Sequence, residues 1–157
     1  MNYGYACINM TLSEVPKAKR ITTNRSMIKR TFKEKGIKYA SELALQNVKD
    51  LMKILVWNEN NNIKFYRMSS DIFPWCSEYN YWELPDYMEI KYWLHFAGDY
   101  ATKMGHRLTF HPGPFCCLAS PNFEVVEKTY KELNNHSRIF DMMGFEPSHY
   151  NKINIHV

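Results

Sequence analysis

At 157 residues the chain is long enough for one domain with a sizeable core, and 45% hydrophobic against 23% charged is the balance of a soluble globular protein. No run approaches the ~20 apolar residues of a membrane span, and the apolar start lacks the basic segment of a secretory signal, so an intracellular, reducing compartment is expected. The net charge of +4 is modest, and Cys7, Cys76, Cys116 and Cys117 lack the CxxC spacing of a zinc site, which makes them reduced structural thiols.

Residues 3–10 are expected to form a short buried strand. The stretch that follows, about 13–36, reads as a basic loop: nine lysines and arginines lie between Lys17 and Lys38 against the single acid Glu34. Such a field suits a polyanion such as DNA, and a solvated surface equally well. Over residues 37–58 the spacing of Leu45, Val48, Leu51, Met52 and Leu55 predicts an amphipathic helix. Asn60, Asn61 and Asn62 punctuate its end, and IKFYRM at 63–68 predicts a second strand.

After an aromatic loop at 69–85, residues 86–104 are expected to be helical, with Gly105 just past the end. RLTFH at 107–111 is a third strand, stopped by Pro112 and Gly113. Ser120 and Pro121 mark a helix start, and Val126, Tyr130, Leu133, Phe140 and Met143 supply its inner face before Gly144. KINIHV at 152–157 is a fourth strand. The order β-α-β-α-β-α-β implies an α/β fold with a parallel sheet and right-handed crossovers. A flavodoxin-like sheet and a (β/α)8 barrel both begin this way, and a full barrel takes about 250 residues.

Polar groups fall where the strands end: Asn9 after the first, Ser69 and Ser70 after the second, His111 after the third and His156 near the end of the fourth. In parallel β/α architectures those ends share the face that carries chemistry. His111 and His156 could share a metal, although a catalytic site usually takes three protein ligands, and two unrelated histidines are the competing reading. His95, His106, His136 and His149 read as ordinary helix or loop residues. In the stiff run His111-Pro112-Gly113-Pro114-Phe115, Phe115 either wedges into a base stack or packs under its loop. Ser69 and Ser70 suit phosphate contacts, Asp71 or Glu78 could take a metal or a water, and a capping role for Ser70 or Asp71 competes with both. Thr22-Thr23-Asn24-Arg25 offers a guanidinium to phosphate oxygens.

Taken together and in this order, GYACINMTL at 4–12, TTNR at 22–25, YRMSSDIFP at 66–74, HPG at 111–113 and NIH at 154–156 resemble the UV-damage endonuclease family across essentially the whole chain. The resemblance implies the N-terminal half of a TIM-type (β/α)8 barrel, akin to the abasic-site nuclease endonuclease IV. It implies nicking of UV-damaged double-stranded DNA immediately 5′ of a photoproduct by a cluster of divalent metals, manganese first, with zinc or magnesium as alternatives. His111 and His156 match metal ligands. Tyr5, Asn9, Asn24, Arg25, Ser69, Ser70, Pro114 and Phe115 are assigned to the DNA or the lesion. Pro114 and Phe115 stand where better-known members have Gln and Tyr, so a ring is kept while an amide and a hydroxyl are lost. Glu78 falls where some members carry a histidine.

The remaining ligands are expected beyond His156. By itself the chain would then bind metal weakly, and it would pair with a second copy or with a separate C-terminal half. Two other readings compete: a catalytically inactive DNA-binding remnant, and a metal-dependent sugar isomerase on the same barrel type. The basic stretch argues against the isomerase, because a small sugar gives it no use.

Overall fold

The computed structural model describes residues 3–155. Three parallel strands, β1 (Tyr3–Ala6), β2 (Ile63–Met68) and β3 (Arg107–Phe110), lie side by side in chain order. That order departs from the 2-1-3 start of a flavodoxin-like sheet. Helix α2 (Lys29–Asn60) crosses from β1 to β2, α3 (Tyr87–Met104) from β2 to β3, and α4 (Phe123–Met142) follows β3. One sheet face is dry: Tyr66, Met68, Leu108 and Phe110 are fully buried with Val48, Leu51 and Leu55 of α2 and Leu94 and Ala97 of α3. Burying each of the Val, Leu, Met and Phe side chains among them contributes about 1.5–3 kcal/mol. Gly98 lets α3 and α4 meet, because a Cβ there would lie 1.9 Å from the Met143 carbonyl oxygen.

Strand β2, helix α3 with Gly105 capping it, and the apolar stripe of α2 match the sequence expectation. Elsewhere local polar chemistry moves the boundaries. Strand β1 stops at Ala6 rather than residue 10, since Cys7 turns the chain aside at φ 59°. Asn9 therefore ends no strand; it caps the short helix α1 (Met10–Ser13), its side chain accepting from Leu12 N. Residues 13–36 are not one loop either. Lys17–Lys19 form a 3-10 turn, and α2 begins at Lys29 instead of 37. Gly36, at φ 66° and ψ −162°, breaks the helix where the expected one was to begin. The extra segment is docked by Phe32, whose ring stacks on Trp75 at 5.9 Å.

Helix α4 starts at Phe123, not at Pro121, because Asn122 is its cap and accepts from Glu124 N at 2.9 Å. Its inner face carries Thr129, Asn135, His136, Ile139 and Phe140, while Tyr130, expected inside, is 58% exposed. This helix packs on loops as well as on the sheet, and Asn135 Nδ2 donates to the Cys76 carbonyl at 2.9 Å. No fourth strand forms among the described residues. Residues 152–154 make a bridge to β3 instead: Phe110 N donates to Lys152 O at 3.0 Å and Asn154 N to Phe110 O at 2.9 Å. His156, expected to be a metal ligand, lies outside the described residues. All four cysteines are free, and no helix among the described residues is long and apolar enough to cross a membrane.

Candidate nucleic-acid interface

Because the strands are parallel, their C-terminal ends share one rim. The loop after β1 is held there by Tyr66, whose hydroxyl donates to the Cys7 carbonyl at 2.8 Å and lies 2.9 Å from Thr23 Oγ1. Burial pushes the Tyr66 phenol well up, so it stays a neutral donor. Asn47 of α2 then ties two loops together. Its Oδ1 accepts from Arg25 N at 3.0 Å, and its Nδ2 donates to Arg25 O at 3.0 Å and Ile72 O at 3.1 Å. The run from Thr22 to Arg25 is thereby stapled beside the loop that follows β2.

Arg25 itself faces inward. Its Nη2 lies 2.7 Å from Asp50 Oδ2 and donates to Arg20 O at 2.6 Å, and its Nη1 donates to Thr22 O at 2.7 Å. The Asp50 side chain, 1% exposed, also accepts from Thr22 N, Gln46 Nε2 and Lys53 Nζ. Asn24 accepts from the Thr22 hydroxyl. The exposed cations are others. Lys17, Lys19 and Arg20 line a shallow groove of about 650 Å³, and Lys29, Arg30 and Lys33 stand on the first segment of α2. Arg30 pairs with Glu34 at 2.9 Å, a contact too exposed to hold the guanidinium firmly.

Tyr5 and Asn9 also serve the packing of β1 on α2. The Tyr5 hydroxyl donates to Asn58 Oδ1 at 2.7 Å and accepts from Asn9 Nδ2 at 2.9 Å, while Asn9 Oδ1 accepts from Leu12 N at 3.0 Å. Asn9 is buried and Tyr5 half-buried, toward the helix layer rather than the rim. Ser69 is buried and acts as a cap, accepting from Asp71 N at 3.2 Å; Ser70 beside it is half-buried. Partial burial, and then the Glu132 carboxylate, push the Asp71 carboxyl above its ordinary value.

The loop after β3 completes the rim. His111 is half-buried, with Nδ1 2.9 Å from the Pro112 carbonyl. A strand-end imidazole is a donor type that a divalent metal accepts. His111 is not joined to a complete set, since no three His, Cys, Asp or Glu among the described residues are arranged to hold a metal. Glu78 lines a separate polar pocket of about 410 Å³ with Asn134 and Arg138. Past His111, Cys116 N donates to Gly113 O at 3.0 Å and closes a turn with Pro114 and Phe115 at its centre. Phe115 does not pack under its loop: it is 89% exposed.

The family model for UV-endonuclease UvdE matches residues 1–157. The chain belongs to this family. It is 39% identical over 149 residues to an Acanthamoeba polyphaga mimivirus protein, covering 90% of this chain and 42% of that one. With the UV-damage endonuclease of Schizosaccharomyces pombe it is 36% identical over 140 residues, covering 89% of this chain and 23% of the relative. The crystal structure of SacUVDE superposes with a TM-score of 0.81 at 26% identity, over 99% of this chain and 48% of that one. The chain thus spans less than half the length of each of these proteins.

Several residues that shape the rim are absent from the sequence-derived set: Asn47 and Asp50 on α2, and Thr129, Glu132 and His136 on α4. One signal was available. Asn47 occupies the helical stripe of Ala44, Val48 and Leu51, and a polar residue in an apolar stripe needs a partner. His136 gives a similar hint only once the face of α4 is known. It is buried and stacked on Phe110 at 4.5 Å. Burial lowers its pKa, against the opposing pull of Glu132 and the Ser70 backbone.

Proposed function

We propose that this chain is the lesion-recognising part of an endonuclease that hydrolyses the DNA backbone 5′ of UV photoproducts with the help of divalent metal ions, built as the N-terminal half of a TIM-type barrel. The sequential parallel strands and the superposition on SacUVDE support the barrel. The observation that carries the DNA reading is Phe115, 89% exposed on a closed turn next to His111 and on the same rim as the Ser69–Ser70 loop. A ring presented in this way suits insertion beside a distorted base step, and stacking against a base contributes about 1–3 kcal/mol. The exposed lysines and arginines near residues 17–33 suit phosphates, each neutralised phosphate adding about 0.9 to the salt slope.

Manganese is the proposed metal, with zinc or magnesium as alternatives. Bound, it would supply an activated water and stabilise charge on the phosphate. His111 and His156 are the proposed ligands from this chain, and the described residues alone do not make a metal centre. The second sheet face, which carries the half-buried Phe65, Arg67 and Arg107, is the proposed surface for a second copy or a separate C-terminal half. A test is an end-labelled duplex carrying one cyclobutane pyrimidine dimer, incubated with the chain and manganese. A break immediately 5′ of the dimer supports the reading, while salt-sensitive binding without a break supports the inactive DNA-binding remnant. A chain that neither breaks nor binds the duplex refutes both.

A further inference from the structure

Thr129 and Glu132 lie one helical turn apart on α4 and reach the two ends of the same loop. Glu132 Oε1 accepts from Gly113 N at 2.7 Å. Thr129 Oγ1 accepts from Cys117 N at 3.1 Å and donates to Val125 O at 2.8 Å, which fixes its hydroxyl. Between these points Cys116 N closes the turn on Gly113 O at 3.0 Å, with Pro114 setting φ at the first central position. Pro112, Cys116 and Thr129 are buried around the turn, so only Pro114 and Phe115 stand out from it.

We propose that Thr129 and Glu132 form a clamp that holds the Pro114–Phe115 turn rigid before DNA arrives, so that Phe115 meets the lesion as a pre-set wedge. Phe115 is the contacting residue in this scheme, and Thr129 and Glu132 are positioning residues. Backbone anchored at both ends and across the turn has lost its conformational freedom on folding, so little remains to be lost on binding. The Cys116 thiol reinforces the arrangement. Burial and the Glu132 carboxylate push it up to about 12, so it stays protonated and can donate to that carboxylate. The clamp rests on the proposed DNA reading for its purpose, though not for its existence.

The test uses the full chain and three variants, Glu132→Ala, Thr129→Val and Glu132→Gln, read by amide exchange and ¹⁵N relaxation without DNA. The same four proteins are then titrated with a dimer-containing and an undamaged duplex at several salt concentrations. In Glu132→Ala and Thr129→Val, exchange at Gly113 or Cys117 should rise about fivefold relative to the Leu108 amide, as one net hydrogen bond is lost. Order parameters at Phe115 should fall toward the flexible range, below about 0.6. The preference for the dimer should drop with the salt slope unchanged, and Glu132→Gln, which keeps the acceptor oxygen, should restore both. A loop that stays protected in both variants overturns the clamp. A loop that loosens while dimer preference persists overturns its role in presenting the wedge. A wild-type chain without dimer preference overturns the DNA reading, while the exchange data still judge the clamp separately.

Discussion

Replacing Arg25 with alanine separates an inward structural lock from a phosphate ligand. Its guanidinium, 24% exposed, holds Asp50 and the Thr22 and Arg20 carbonyls. Hydrogen bonds to charged groups contribute about 1.5–3 kcal/mol each when buried. Two considerations reduce the sum. The guanidinium is partly solvated, and Asp50 keeps Lys53, Thr22 N and Gln46, so the full cost of an unpaired buried charge does not arise. A loss of about 2 kcal/mol follows, and for a chain of 157 residues this lowers Tm by about 6 °C. Asp50→Ala, which strands the guanidinium, should cost more, about 3 kcal/mol. Urea unfolding measures both. Duplex affinity against salt, measured well below Tm, should keep its slope in Arg25→Ala, whereas Lys29→Ala should lose about 0.9. A stable Arg25→Ala protein with a slope smaller by about 0.9 would make Arg25 a phosphate ligand and refute the inward lock.

Gly98→Ala places a Cβ against backbone at Met143, which neither helix can relieve by a rotamer change; about 3 kcal/mol of stability should be lost in urea unfolding, and a neutral variant would show that α3 and α4 slide freely. Burial outweighs the bond to Glu59 and lowers the His106 pKa, and it lowers that of His136 too, so the unfolded chain takes up protons that the native one resists. Their stabilising contribution is complete above the unfolded value of about 6.5 and is lost as pH falls from there toward the depressed native values. Asp71, raised by burial and Glu132, works in the opposite direction but only in the carboxylate range. Tm should therefore fall between pH 7.5 and 5.5, with a shallower slope in His136→Leu; a Tm rising in that window would mean the imidazoles are charged in the fold. Phe115→Ala touches nothing buried, so stability should stay within about 0.5 kcal/mol while dimer preference is lost, as a binding titration beside a melt would show.

What could be read from the sequence was periodic. Strand β2 and the buried stripe of α2 announce themselves by spacing, and Gly105 by the helix it ends, because apolar burial repeats at the period of the element. The misplaced boundaries all depend on single polar contacts. Asn9 draws the chain out of β1 into a cap, Asn122 rather than Ser120 starts α4, and Phe32 on Trp75 turns part of a basic stretch into helix. Apolar spacing encodes none of these contacts: Asn9 and Asn122 bind backbone N–H groups three and two residues on, and Phe32 meets Trp75 from a distant part of the chain. The candidate site divides along the same line. His111 and Phe115 stand at a strand end and on a proline turn, where position alone points to them. Arg25, Tyr5 and Ser69 were legible as polar groups, yet their partners Asp50, Asn58 and Asp71 N turn them to structural work.

Discrimination of damaged from undamaged duplex should rest on the ring held at Phe115 on this rim, in a chain of the UV-endonuclease UvdE family. Its most direct measurement is the ratio of affinities for two duplexes of identical sequence, one carrying a single cyclobutane pyrimidine dimer, at one fixed salt concentration. The dimer duplex should bind about tenfold tighter, a difference of about 1.4 kcal/mol within the range of one stacked base, and that ratio should collapse in Phe115→Ala. Equal affinities in the wild type, or a ratio untouched by Phe115→Ala, would contradict that role of the ring.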